Sequence, residues 1–266
     1  MVRRLKNLVE ARRARRAPPA VLPDGLRVYA VGDIHGHAEE FDALLALIDE
    51  DRAGHDGETR LVLLGDYIDR GPDSRAVIER LMAGAMPADR SHFLMGNHER
   101  VLLDIVDDDA RSGPDWLRYG GFELLQSYGL SRTELLRRQR PLRQSILEAI
   151  PSDHLDFLRA LPSHVVIEDY FFAHAGVRPG VALHEQSERD LLWIREGFIE
   201  SRRDHGKVVV HGHTIHDEPG DHPNRIGLDT GCYAGGALSA VRLERDTRDF
   251  LAVPSNGVSW RRGGRS

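Results

Sequence analysis

The chain has 266 residues, of which 41% are hydrophobic and 29% are charged, and its formal net charge is −6. The single cysteine, Cys232, excludes an internal disulfide and a cysteine-rich zinc site, and no run approaches the roughly 18 consecutive apolar residues of a membrane-spanning helix. We therefore expect a globular, cytoplasmic protein without a membrane span, and we expect a monomer because no docking surface is evident in the sequence.

The beginning of the chain is basic. Residues 1–20 contain seven Arg or Lys and one acid, Glu10, and the apolar stretch of a signal peptide does not follow them. We interpret residues 1–25 as a flexible basic arm. The rest of the chain is net acidic, whereas a nucleic-acid-binding surface requires a basic patch, so we expect no nucleic-acid partner.

A short apolar run that ends in glycine or alanine and is followed by a polar residue recurs along the chain. Runs of this length, rich in Val, Leu, Phe and Tyr, are typical of buried strands. The pattern occurs over residues 26–33, 61–66, 92–97, 170–174 and 207–213. It predicts a set of strands, each of which presents a carboxylate, an amide or an imidazole at its end.

Helical patterns separate the first three of these strands. The spacing of Phe41, Leu44, Leu45 and Ile48 predicts a helix with one buried face, and a second helix is predicted to begin at Asp73. Strands that alternate with helices form βαβ units, so the first hundred residues are predicted to have an α/β structure.

The later part of the chain is less regular. Residues 107–165 have a helical pattern and few β-branched residues, and we predict that they form a helical cap inserted beside the site. Residues 226–253 return to strands separated by glycine-rich turns. The chain is therefore predicted to form one α/β domain over residues 26–255, followed by a C-terminal tail at residues 256–266.

The polar residues that follow the predicted strands are candidate metal ligands. Ligand sites gather at strand ends in α/β sheets because the loops there converge at one edge. The candidates comprise carboxylates, imidazoles and one amide, in chain order Asp33, His35, Asp66, Asn97, His174 and His213. Because this set contains no thiolate, it suits Mn, Fe, Mg or Zn rather than a soft-metal site.

Three motifs in this order resemble the signatures of the PPP family of serine/threonine phosphatases, bacterial type, within the calcineurin-like metallophosphoesterase superfamily. They are GDIHG at residues 32–36, GDYIDRG at 65–71 and GNHE at 96–99, and His174 (FFAHAG) and His213 (VHGHT) match as well. The resemblance covers roughly residues 27–243. It implies a central β-sandwich of mixed sheets flanked by helices, an α-β-β-α arrangement, with a helical insertion.

The resemblance also implies two divalent metal ions, for which we expect Mn²⁺, with Fe, Mg or Zn as alternatives. Its ligand set is Asp33, His35 and Asp66 for the first metal, and Asp66, Asn97, His174 and His213 for the second. A hydroxide shared by the two metals would then attack phosphorus directly, without a covalent phosphoenzyme.

The same resemblance assigns roles to residues beside the metals. His98 would protonate the leaving alkoxide, and Asp69 would orient that imidazole and keep it cationic. Arg70 would hold two phosphate oxygens with its planar guanidinium. A second phosphate-binding arginine is expected later in the chain, and Arg195 is the candidate.

Three functions are open at this point: a serine/threonine protein phosphatase acting on a phosphoprotein or a small phosphoester, a symmetrical diadenosine tetraphosphate hydrolase, and a non-catalytic scaffold. The symmetrical hydrolases resemble this chain, but their pattern lacks the acid before the arginine of the second motif and carries GNHD. Asp69 and Glu99 give the phosphatase form instead. A scaffold would typically have lost His98 or some of the ligands, and all are present.

Two other kinds of site fail on residue spacing. A cysteine phosphatase needs Cys-x5-Arg, but the residue six positions after Cys232 is Leu238, so we interpret Cys232 as a small buried hydrophobe. Trp116, Trp193 and Trp260 have no spacing typical of a nucleotide-stacking box, and we assign them to the core.

Overall fold

The computed structural model describes a large part of the chain, namely residues 20–107, 113–131, 133–134, 141–255 and 260–262. Two β-sheets packed face to face form its centre, and helices cover both outer faces. Within these ranges, no helix combines the length and the apolar character needed to cross a membrane.

The strands of the described residues are β1 (Leu26–Val31), β2 (Glu58–Leu63), β3 (Arg90–Phe93), β4 (His164–Ile167), β5 (Tyr170–Ala173), β6 (Val208–His211), β7 (Gly220–Asp221), β8 (Arg225–Gly227), β9 (Asp229–Thr230), β10 (Ala237–Glu244), β11 (Thr247–Pro254) and β12 (Trp260–Arg262). The first sheet has the order β12-β11-β10-β1-β2-β3, with β9 beside β10, and the second has the order β4-β5-β6-β8-β7. Parallel and antiparallel pairs occur in both sheets, so both are mixed, as predicted.

The helices of the described residues are α1 (Ala38–Arg52), α2 (Ser74–Ala83), α3 (Asn97–Val106), α4 (Gly113–Trp116), α5 (Phe122–Ser127), α6 (Leu142–Ala149), α7 (Ser152–Arg159) and α8 (Glu188–Trp193). A kinked segment, Leu117–Gly121, in which Tyr119 and Gly120 have non-helical backbone angles, joins α4 to α5. The four residues that predicted the buried face of α1 are all buried, and α2 follows directly after Asp73, as expected.

Side chains that alternate along the strands supply two separate layers of the core. In β1, Val28 and Ala30 face the second sheet, whereas Tyr29 and Val31 pack with the helices on the opposite face. Because both faces of this strand are covered, its sequence is a continuous apolar run rather than an alternating one. A third apolar cluster packs helix α8 onto the outer face of the second sheet, which completes the predicted α-β-β-α arrangement.

The structure refines the predicted domain limits. Ala20 and Leu22 are buried, and the backbone N–H of Leu22 donates to the carbonyl of Arg245, so residues 20–25 pack against the domain instead of belonging to a free arm. The rest of the predicted arm lies outside the described residues. Part of the predicted tail is strand β12, which pairs with β11. The predicted cap contains helices α4 to α7, and β4 begins near its end.

Candidate active site

The predicted ligands lie where the parallel strands of both sheets end. β1, β2 and β3 are parallel neighbours, as are β5 and β6, so the residues that follow them meet at one edge of the sandwich. Two groups have candidate ligand atoms within 4.8 Å of one another: Asp66 with His174 and His213, and Asp66 with His35 and His98. Asp66 belongs to both groups.

Asp66 is buried at the centre of this arrangement. Its Oδ2 lies 3.4 Å from His174 Nε2, 3.6 Å from His35 Nε2 and 3.9 Å from His98 Nε2. Burial alone would raise the pKa of Asp66, but the surrounding imidazoles outweigh burial and hold its pKa below the usual range. Asp66 is therefore a buried carboxylate that three imidazole nitrogens face, the arrangement expected of a carboxylate shared by two metal ions.

The other two oxygen ligands of the prediction adjoin these groups. Asn97 Oδ1 lies 2.8 Å from His174 Nε2. Asp33 belongs to neither group, but both of its carboxylate oxygens accept from the backbone N–H of His213 at 3.1 Å. Burial, together with Asp229 and Asp66, raises the pKa of Asp33 well above its usual value. A divalent cation would relieve this crowding of buried carboxylates.

The histidine tautomers fit a metal site. His35 Nδ1–H donates to the carbonyl of Ile68 at 2.9 Å, and His174 Nδ1–H donates to the carbonyl of Leu64 at 3.0 Å. Each bond leaves the Nε2 lone pair facing Asp66, which is the way that metal-binding histidines are commonly oriented. Burial lowers the pKa of His35 to about 3 and also lowers that of His174, so both rings are neutral. The residues present therefore fit divalent metal ions.

The backbone at the site is strained. Residues other than glycine with positive φ include His35 (47°), Asp66 (52°), Asp69 (70°), Arg70 (68°) and His213 (62°). Each such residue costs on the order of 1–3 kcal/mol, and such strain persists where the surrounding contacts hold it. The backbone of Gly96 packs against the turn at Asp66, and only a glycine leaves room for this contact, because a Cβ there would lie 2.2 Å from the backbone nitrogen of Asp66. The turns that carry the polar residues are thus fixed by packing.

Glu99 has a role that the sequence analysis did not find. Its fully buried carboxylate accepts from the backbone N–H groups of Gly96 (2.9 Å), Asp66 (3.0 Å), Tyr67 (2.8 Å) and Ile68 (3.2 Å). These bonds tie the start of helix α3 to the turn that carries Asp66. In the sequence, Glu99 served only to distinguish families. Its place in the third motif was the one sequence feature that could have indicated this structural role.

Glu99→Gln is expected to lower the free energy of unfolding by about 2–4 kcal/mol. The second carboxylate oxygen now accepts hydrogen bonds from backbone N–H groups, and the amide NH₂ that replaces it could not accept them. Urea denaturation monitored by circular dichroism measures this change. Glu79→Gln is the matched control, since Glu79 forms an exposed ion pair with Arg75 and its substitution should change stability by less than about 1 kcal/mol. Equal stability of the two variants would contradict the role of Glu99.

His98 differs from the other histidines of the site. Its Nδ1–H donates to Asp69 Oδ2 at 2.6 Å, and Asp69 is fully buried. Burial alone would lower the pKa of His98, but Asp66 and Asp69 outweigh burial and raise it to about 9. The surroundings of His98 therefore favour its protonated form, whereas those of His35 and His174 favour the neutral ring.

Both predicted arginines lie at the site. Arg70 Nη2 is 3.4 Å from His98 Nε2, and its guanidinium carbon lies 4.0 Å above the ring of Tyr233. Arg195 Nε–H donates to His213 Nε2 at 2.9 Å. Each guanidinium is thus placed beside a candidate ligand or the candidate acid.

A cleft of about 410 Å³ opens onto this centre and is lined by both arginines. Its walls also contain Trp116, Tyr119 and Trp193. Tyr119 is 63% exposed and Trp193 is 36% exposed, so the assignment of Trp193 to the core is wrong. Trp116 is buried but donates its indole N–H to Asp69, so packing is not its only contribution. The side chain of Trp260 lies outside what the structure describes.

Cys232 is buried, as predicted, and burial raises the pKa of its thiol to about 12. At neutral pH the group is a thiol, and the thiolate is the form that acts as a nucleophile. A cysteine-phosphatase chemistry is therefore excluded for this residue.

Three comparisons place the chain among known proteins. Residues 26–247 match the family model described as calcineurin-like phosphoesterase. An asymmetrical bis(5'-nucleosyl)-tetraphosphatase, PrpE, from Geobacillus thermodenitrificans is 26% identical over 252 residues, which is 87% of this chain and 95% of the relative. A zinc-dependent endopolyphosphatase from Saccharomyces cerevisiae is 25% identical over 82% of this chain and 76% of its own.

A similar solved structure is provisionally described as a diadenosine tetraphosphatase. It is 25% identical, has a TM-score of 0.59, and the match covers 94% of this chain and 100% of that chain. These relatives are named for the hydrolysis of phosphoanhydrides, and neither the serine/threonine phosphatase nor the symmetrical hydrolase of the sequence analysis appears in their names. The matched family and the clustered His and Asp residues imply divalent metal ions. The chain belongs to the calcineurin-like phosphoesterase family and is a metal-dependent phosphoesterase.

Proposed function

We propose that this protein hydrolyses dinucleoside tetraphosphates asymmetrically, releasing a nucleoside triphosphate and a nucleoside monophosphate. The observation that carries this proposal is the composition of the cleft. Two arginines beside the candidate metal ligands suit a chain of phosphates, and the exposed rings of Tyr119 and Trp193 offer flat faces on which a base can stack. The PrpE relative, matched over most of both chains, supports the same substrate class.

Under this proposal the six predicted ligands would hold two divalent cations, and Asp66, which belongs to both groups of candidate ligands, would contribute to both sites. The metals would activate water as a nucleophile at neutral pH and neutralise charge on the phosphate being attacked. Arg70 and Arg195 bind phosphate oxygens and orient the substrate. His35 and His174 would present Nε2 to the metals, and His98, held by Asp69, would face the leaving group.

The Asp69–His98 pair favours a second candidate, a phosphatase acting on phosphoserine or phosphothreonine. An alkoxide leaves poorly unless it is protonated, and a buried cationic imidazole held by a carboxylate is well suited to provide that proton. A nucleotide leaves as a phosphate whose second pKa is about 6, so it needs much less protonation. The Asp69–His98 pair is thus expected to accelerate hydrolysis of a phosphomonoester more than hydrolysis of a dinucleotide.

Parallel assays of the Mn²⁺-loaded protein on diadenosine tetraphosphate and on a phosphothreonine peptide distinguish these candidates. We expect faster turnover of the dinucleotide, with ATP and AMP in equal amounts on anion-exchange chromatography. Two molecules of ADP would show a symmetrical cut and would contradict the proposal. Preference for the peptide would establish the second candidate instead.

A further inference from the structure

Asp69 and Arg70 are consecutive residues with positive φ, at 70° and 68°. Neither is glycine, so the backbone of each residue is strained. Both side chains carry proposed roles, because Asp69 contacts His98 and Arg70 lines the cleft. Contacts from elsewhere in the fold must therefore hold this turn.

One such contact comes from Trp116 at the end of helix α4. Its indole N–H donates to Asp69 Oδ2 at 2.9 Å, and the same oxygen accepts from His98 Nδ1 at 2.6 Å. Among the described residues, Asp69 Oδ1 has no hydrogen-bond partner. The orientation of this carboxylate thus depends on two donors to a single oxygen, and Trp116 supplies one of them.

The position of Trp116 is itself fixed. The side chain is 3% exposed, and a Cβ on Gly121 would lie 2.5 Å from the indole ring. The ring therefore packs directly against the backbone of the kinked segment that follows it. A buried and closely packed donor of this kind restricts the rotation of the carboxylate that accepts from it.

Gly120 makes the second contact with the turn. Its carbonyl accepts from the backbone N–H of Arg70 at 3.3 Å. Gly120 has φ 116°, and a Cβ there would lie 2.2 Å from the backbone nitrogen of Arg70. Only glycine allows the two backbones to approach this closely.

We propose that Trp116 and Gly120 are positioning residues for the hydrolytic reaction. Together they form a supporting segment, residues 113–121, that holds the Asp69–Arg70 turn. Trp116 orients His98 through Asp69, and Gly120 places the guanidinium of Arg70. The helical insertion therefore contributes to the chemistry as well as to the wall of the cleft. This inference rests on the proposed roles of His98 and Arg70. The part that acts through Arg70 applies to either candidate substrate, and the part that acts through His98 applies to phosphoesters whose leaving group requires a proton.

Trp116→Phe tests the first contact because it removes the N–H and keeps an aromatic ring. We expect kcat for an alkyl phosphate, such as a phosphothreonine peptide, to fall about 10–100-fold, the usual effect of losing a supporting hydrogen bond to an active-site group. The KM should change by less than about threefold, and kcat for 4-nitrophenyl phosphate, whose leaving group needs little protonation, should fall by less than about threefold.

Tyr128→Phe is the matched control. It also removes one hydrogen bond of the insertion, the partly buried one between Tyr128 Oη and His154 Nδ1 at 2.7 Å, without touching the Asp69–Arg70 turn. We expect equal activity of this variant and the wild type on both substrates, and thermal melts of both variants report folding. Equal losses on the two substrates for Trp116→Phe, or no difference from Tyr128→Phe, would overturn the proposal for Trp116.

Gly120→Ala tests the second contact through binding rather than turnover. We expect the dissociation constant of inorganic phosphate, measured by calorimetry on the Mn²⁺-loaded protein, to rise about 10-fold, the equivalent of one charge-assisted hydrogen bond. Trp116→Phe should leave this constant unchanged. Unchanged phosphate binding in Gly120→Ala would overturn the role of Gly120.

The two levels of failure are separable. A wild-type protein that hydrolyses none of these phosphoesters would refute the proposed function itself. The positioning role alone would be refuted by a different result. In that case the wild type hydrolyses 4-nitrophenyl phosphate and the peptide, and Trp116→Phe and Gly120→Ala behave like Tyr128→Phe.

Discussion

Asp66→Asn is expected to lower kcat about 10³-fold or more on every phosphoester, the largest effect of any single substitution in this site. Asp66 Oδ2 faces three imidazoles within 3.9 Å, and the carboxylate is the shared member of both ligand groups. An amide carries no charge and cannot bridge two cations equally. The transition state would lose several kcal/mol of stabilisation by the metals, because each factor of ten in rate corresponds to about 1.4 kcal/mol.

The measurement is kcat at saturating Mn²⁺, together with the metal content after gel filtration. Asp246→Asn is the control, because it makes the same chemical change at an exposed residue of the turn between β10 and β11. The control should retain activity and bound metal. Wild-type activity in Asp66→Asn would remove the two-metal account of this site.

His98→Asn should have the second largest effect, and that effect should depend on the leaving group. A general acid contributes about 10²–10⁴-fold when the leaving alkoxide requires a proton. We therefore expect a loss of at least 10²-fold on a phosphothreonine peptide. Losses below about 10-fold are expected on 4-nitrophenyl phosphate and on diadenosine tetraphosphate, whose leaving groups are stable as anions.

Kinetics of His98→Asn on all three substrates measure this dependence. The control is His184→Asn, since the side chain of His184 is 84% exposed and lies in the turn at Leu183–Glu185. Equal losses on the peptide and on the aryl phosphate would show that His98 does not act as a proton donor. A peptide loss confined to His98→Asn, with normal dinucleotide turnover, would support the acid role.

The part of the site that follows from local sequence could be predicted. Asp33, Asp66 and Asn97 each come directly after an apolar run, and the runs form parallel strands whose ends share an edge. A residue at the end of such a strand has its place determined by the strand itself. His174 and His213 follow the same rule in the second sheet.

The contacts between distant segments could not be predicted. Trp116 reaches Asp69 across 47 positions of sequence, and no local pattern indicates which buried carboxylate an indole N–H will meet. Glu99 was visible as a motif residue, but its bonds to the turn at residues 66–68 exist only when the start of helix α3 lies beside the turn that follows strand β2. Spacing of tryptophans along the chain likewise did not indicate that Trp193 lines a cleft, because that depends on how helix α8 meets the insertion.

Metal titration of the chelator-treated protein tests the central claim most directly. Calorimetry with Mn²⁺, followed by elemental analysis of the gel-filtered complex, gives the number of ions bound per chain. The account predicts two ions per chain, and it predicts that phosphate release reappears only as the second ion binds. Full activity with one bound ion, or with none, would contradict a dinuclear centre built around Asp66.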